Sequence, residues 1–163
     1  MISLFFKALT VLHTLFRQQI IPASLEQVWD FFSDPHNLNT LTPPEMNFHI
    51  LTDPLARMFP GQLIEYRVEF IRGLPWLWVT EIAHMRENEY FVDEQRLGPY
   101  QFWYHEHSFR VASGGVQMTD RVNYSIGYGP LGDLINRVWV ARRLQNIFDY
   151  RVAKIAQLFP GGD

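Results

Sequence analysis

Residues 102–126 read FWYHEHSFRVASGGVQMTDRVNYSI, two alternating runs on either side of Ser113-Gly114-Gly115. Taking Ser113 and Gly114 as a two-residue turn pairs Ala112 with Gly115. Counting back then sets Phe109 opposite Met118, His107 opposite Asp120, His105 opposite Val122 and Trp103 opposite Tyr124. All of these share one face with Val111, Val116 and Ile126, while Glu106, Ser108, Arg110, Thr119, Arg121 and Asn123 point the other way. The first face is apolar apart from its two histidines and Asp120, so it is expected to look inward.

The same alternation extends upstream. From Gly61 to Gly127 the chain reads as strand: Ile64, Tyr66, Val68 and Phe70 alternate with Glu65, Arg67 and Glu69, and Trp76, Trp78, Thr80 and Ile82 continue the pattern after a turn at Gly73. Glu87-Asn88 is the next turn, and Tyr90 to Arg96 runs to a break at Gly98-Pro99. Phe91, Asp93 and Gln95 join the inner face if that break brings Asp93 next to His105. Further upstream, Ser24 and Gln27 have the spacing of a capping box for a helix that buries Leu25, Val28, Trp29 and Phe32 and stops at Asp34-Pro35. A second short helix or turn is expected over His36 to Leu41, and an extended segment over Phe48 to Thr52 after Thr42-Pro43-Pro44. Downstream the period changes. Leu131, Leu134, Ile135, Val138, Leu144, Ile147, Phe148, Val152 and Ile155 recur at three and four residues, predicting one buried stripe on a helix between Gly129-Pro130 and Pro160-Gly161, about 40 Å long at 1.5 Å per residue. The order is strand, two short helices, antiparallel strands, long helix: an α+β chain in which a curved antiparallel sheet wraps a C-terminal helix. With no repeats, low-complexity tracts or linker, one domain is expected over residues 1–163, its core at about 14–159.

Composition narrows the chemistry. The chain has 163 residues, 47% apolar, against 14 basic and 17 acidic residues, so a net charge of −3 argues against nucleic acid as a partner. The absence of cysteine excludes disulfides, a thiolate nucleophile and thiolate-bound metal. Aromatic residues make up 15%, enough to fill a core or to line a pocket. Met1 to Leu12 is apolar but interrupted by Lys7, without a preceding basic residue or a small-residue cleavage site, and is read as part of the mature protein. No run approaches the roughly 20 apolar residues of a spanning helix, and a cytoplasmic location is expected.

Several strings carry a family resemblance: Ile21-Pro22-Ala23, Val28-Trp29-Asp30-Phe31-Phe32, Leu41-Thr42-Pro43-Pro44, Gly98-Pro99-Tyr100, Trp103 to Phe109 and Phe148-Asp149-Tyr150-Arg151. With the order of elements, they resemble a bacterial ligand-binding branch of the SRPBCC or START-like superfamily, over about residues 14–159. That superfamily includes lipid-transfer START domains, aromatic polyketide cyclases, birch-pollen-type allergens and coenzyme-Q-binding proteins. The resemblance implies a helix-grip fold with a cavity between sheet and helix, and it transfers no catalytic residue.

The residues themselves propose a site. Asp93, His105, His107 and Asp120 form a polar ladder in an aromatic wall, and ionisable groups buried there cost several kcal/mol unless they are paired. The ladder therefore satisfies itself, or it orients the polar end of an apolar ligand, or it acts as a histidine and carboxylate acid–base pair in a cyclase, dehydratase or isomerase. His105-x-His107 with Asp93 or Asp120 also has metal-ligand chemistry, but the carboxylates have a simpler use as partners of the imidazoles, and neither metal nor cofactor is expected. Tyr66, Trp76, Trp78, Gln95, Trp103, Phe109, Met118 and Tyr124 are the candidate contacts for a lipid, quinone or polyketide-like molecule. A protein-interaction or co-chaperone module with a filled core is the reading from another class. Arg151 is expected to reach a sheet carboxylate or the carbonyls at the helix end.

Overall fold

A computed structural model describes residues 11–53 and 57–161. Period-two alternation produces seven strands in one antiparallel sheet: β1 (His13–Ile21), β2 (His49–Ile50), β3 (Leu63–Ile71), β4 (Leu74–Arg86), β5 (Tyr90–Leu97), β6 (Phe102–Ala112) and β7 (Gly115–Ser125), in the spatial order β1-β7-β6-β5-β4-β3-β2. The β6–β7 hairpin has the register that the Ser113-Gly114 turn dictates, from Ala112 opposite Gly115 to Trp103 opposite Tyr124. Gly114 has φ +85°, which an L side chain rarely adopts, and a side chain at Gly115 would collide with the Ile21 carbonyl at the end of β1. Asp93 of β5 lies directly opposite His105.

Helix α1 (Leu25–Phe32) begins with the capping box: the Gln27 backbone N–H donates to Ser24 Oγ at 3.2 Å and the Ser24 N–H to Gln27 Oε1 at 3.1 Å. Asp34 caps a 3-10 turn at Pro35–Asn37, which leads into α2 (Leu38–Leu41). The C-terminal helix spans 30 residues as α3 (Gly129–Ile135), a π-helical turn at Asn136–Val140 and α4 (Ala141–Leu158). No helix among the described residues is long and apolar enough to cross a membrane.

Two expectations need correction here. The first half of the long helix does not bury Leu131, Leu134, Ile135 and Val138; Val138 is 70% exposed and Leu131 60%. Gly132, Asn136 and Val140 turn inward instead, since Gly132 approaches the Gly127 carbonyl too closely for a side chain and Asn136 Oδ1 accepts a hydrogen bond from the Tyr124 hydroxyl at 3.0 Å. In α4 the buried positions are Leu144, Phe148, Arg151 and Ile155, with Val152 only half-buried. Val111, expected inside, is 75% exposed at the hairpin tip. Of the apolar N-terminal segment, residues 1–10 lie outside the described residues, while Val11 and Leu12 are exposed.

Candidate functional site

Alternation along β5, β6 and β7 aims Asp93, His105, His107 and Asp120 at the concave side of the sheet, and their pairing is closed. His105 presents Nε2 to Asp120 Oδ1 at 2.9 Å and Nδ1 to Asp93 Oδ2 at 3.2 Å. His107 presents Nε2 to Asp93 Oδ2 at 3.0 Å and Nδ1 to Asp120 Oδ1 at 3.0 Å, the last contact poorly aligned for a hydrogen bond. The imidazole centroids are 3.7 Å apart. Each ring thus bridges the two carboxylates. Phe91 stacks on His107 at 4.2 Å, Phe148 meets His105 edge-on at 5.4 Å, and Trp103 Nε1 donates to Asp93 Oδ1 at 3.1 Å.

The electrostatics follow from this closure. Burial alone would raise both carboxyls, but the charge and hydrogen bonds of the imidazoles outweigh it and hold Asp93 and Asp120 well below the ordinary carboxylate range. Burial would likewise lower His105; the Asp93 charge and the hydrogen bonds to Asp120 and Asp93 win, and its pKa is raised. Asp93, His105 and His107 each offer a ligand atom within 4.8 Å of the others, a spacing a metal ion could use. Yet all four ring nitrogens already face carboxylate oxygens, so coordination would require dismantling the quartet.

Beside the quartet lies a cavity of about 140 Å³ between the sheet, α2 and α4. Its wall is largely apolar and aromatic, including Phe48, Ile64, Trp78, Ile82, Trp103 and Phe148, with Asp93, His105, His107, Thr80, Tyr66 and Arg151 among its polar members. The Tyr66 hydroxyl bonds Thr80 Oγ1 at 2.6 Å, and burial followed by the Asp93 charge pushes its pKa up, keeping the phenol neutral.

Of the contacts named from sequence, Tyr66, Trp78 and Trp103 line this cavity; Trp76, Gln95, Phe109, Met118 and Tyr124 do not. Trp76 shares a face with Trp78 but lies near the β3–β4 turn, 40% exposed. Gln95 is occupied with the Tyr100 backbone, donating to its carbonyl at 2.7 Å and accepting from its N–H at 3.2 Å. Phe109 and Met118 belong to the cluster around Trp29 and Phe32, and Tyr124 is held by Asn136. Asp120 meets the imidazoles from beneath without lining the cavity. Arg151 reaches no carboxylate within 4.0 Å and makes no hydrogen bond among the described residues, contrary to the expectation from sequence. Thr80, Phe48, Leu144 and Phe148 were not singled out as contacts. For the last two, the spacing of Leu144, Phe148, Arg151 and Ile155 was the available signal, with an arginine at an otherwise apolar position.

Neither a protein-family model nor a curated protein matches the chain. Solved structures do. Protein CV1439 from Chromobacterium violaceum superimposes with a TM-score of 0.69 at 16% identity, covering 93% of this chain and 99% of the other. Ara h 8.0201 gives a TM-score of 0.63 at 16% identity, covering 90% and 99%. A nucleoside-diphosphate sugar epimerase from Corynebacterium glutamicum gives 0.61 at 23% identity, covering 88% of this chain but 28% of that longer one. These likenesses define the class by its fold: a curved antiparallel sheet on a long C-terminal helix, the helix-grip arrangement.

Proposed function

We propose that the protein binds an apolar or aromatic small molecule, of lipid, quinone or polyketide-like character, in the cavity between sheet and α4. The observation that carries this reading is the cavity itself: about 140 Å³ walled mainly by apolar and aromatic side chains with a few convergent polar groups. Trp78, Trp103 and Tyr66 supply contact area. Asp93, His105 and His107 line the cavity with every ring nitrogen within 3.2 Å of a carboxylate oxygen, which favours binding over a cyclase, dehydratase or isomerase that would need His105 or His107 as a base. An open cavity likewise favours binding over an interaction module with a filled core. No nucleic acid is expected as a partner, and the location proposed is the cytoplasm.

Native mass spectrometry of protein purified from its own host tests this, with a retained small molecule released on denaturation as the expected result. A protein that carries no added mass, and whose melting temperature no ring compound or acyl chain raises, would overturn the reading.

A further inference from the structure

We propose that Arg151 is the anion receptor of this cavity and holds the carboxylate of a ring-sized aromatic or alicyclic acid. The inference rests on the binding reading above and names the chemical class of the ligand.

Arg151 occupies one of the four buried positions of α4, the other three being Leu144, Phe148 and Ile155, and it is only 9% exposed. Four other arginines have carboxylate partners: Arg17 with Asp149, Arg57 with Asp30 and Glu87, Arg86 with Glu89, Arg96 with Glu81 and Glu94. The buried one has no carboxylate within 4.0 Å and no hydrogen bond among the described residues, and its Nε is fully enclosed. Its contact is the Phe148 ring, 4.9 Å from the guanidinium carbon, an attraction that leaves the N–H donors unused. A guanidinium stays charged at any physiological pH, so burying one without an acceptor is costly and the missing acceptor must be supplied.

The surroundings indicate what supplies it. Asp93, the carboxylate deepest in the wall, is committed to both imidazoles and to Trp103, and Asp34 is committed to His36. The Tyr66 and Thr80 hydroxyls share one hydrogen bond, which leaves one of their two protons over as a further donor. Trp78 Nε1 is a second buried donor without a partner. The cavity therefore presents surplus donors: a planar fork of N–H groups and an indole N–H, matched by an anion with two coplanar oxygens. Volume sets the rest of the ligand, since a dry cavity of about 150 Å³ in another protein accepts benzene. One ring fits beside Ile64, Ile82 and Leu144.

Calorimetric titration of the whole chain with p-toluate, its neutral isostere p-toluamide, and toluene tests this at neutral pH. The wild-type protein is expected to bind p-toluate at least about tenfold more tightly than p-toluamide. Arg151→Met is expected to erase that preference while leaving toluene binding within about threefold, and Arg151→Lys to restore part of it, because an ammonium keeps the charge but lacks the fork. Should Arg151→Met fail to fold, the wild-type preference and a shift of the Arg151 Nε–H resonance on adding p-toluate decide. Equal binding of acid and amide, or an unmoved Arg151 resonance under saturating p-toluate, would overturn the anion receptor and leave the cavity reading standing. Failure of all three compounds to bind would overturn both.

Discussion

Under α1, Trp29 meets Phe91 and Phe109 edge-on at 6.2 and 5.7 Å, and Phe32 closes on Phe109 at 5.4 Å. Farther along the same concave surface, Tyr66, Trp78, Trp103 and Phe148 border about 140 Å³ of open volume. Both regions use aromatic side chains from inward positions of the same sheet. They differ in what the helices bring: α1 inserts Val28 and Trp29 into its half, with Phe32 reaching the edge of the cavity, whereas α4 offers Leu144, Phe148 and a charged Arg151 to the other. The quartet lies where the two halves meet, with His107 stacked on Phe91, which packs on Trp29 and also borders the cavity, and His105 against Phe148 and Trp103 of the open half. A set of buried ion pairs can separate a packed core from a cavity, because its charges offset one another while a ligand occupies, or leaves, the space beside it.

The largest effect is expected from breaking the boundary. His105→Ala leaves two buried carboxylates sharing one imidazole and should cost about 3–5 kcal/mol in urea denaturation. A loss below about 1 kcal/mol would mean that the quartet does not hold the halves together. A matched pair of isoleucines sharpens the contrast. Ile21, fully buried in the filled half, should lose about 4 kcal/mol on substitution by alanine, whereas Ile64 already faces open volume on one side and should lose about 2 kcal/mol. Equal costs would argue that both halves are packed alike. The smallest effect is the dependence on pH. The folded pKa of His105 is raised above its ordinary 6.5, so its contribution is complete below that value and is lost as pH rises through the raised one. Asp93 and Asp120 lie below their ordinary 3.8, so their contributions are complete above it and are lost as pH falls toward the depressed values. The melting temperature should therefore peak between those two ordinary values, and Asp120→Asn should flatten the alkaline decline; an unchanged decline would assign it to other groups.

Much of this was readable from the residues. Alternation and the Ser113-Gly114 turn determine the β6–β7 register, and with it the company of His105, His107 and Asp120, because a slip of one residue would expose the whole apolar face. The Ser24 capping box was equally plain, since its signal is local. Position along a strand was not readable: Trp76 and Trp78 have the same parity, but only the distance from the β3–β4 turn leaves one exposed and the other buried. Nor does periodicity choose between faces when a tight approach overrides hydrophobicity, as Gly132 against Gly127 does in α3, turning Leu131 and Leu134 outward. Arg151 was hidden for a related reason. A lone arginine near a helix end reads as an ion-pairing residue, and only the folded arrangement leaves it without a carboxylate within 4.0 Å among the described residues.

Methyl NMR under xenon pressure tests the division into a filled and an open half most directly, because xenon enters dry apolar cavities without requiring a particular ligand. The methyl groups of Ile64, Ile82 and Leu144 are expected to shift, while those of Ile21, Val116 and Ile155 stay in place. Unmoved resonances throughout, or equal shifts in the two sets, would contradict the account.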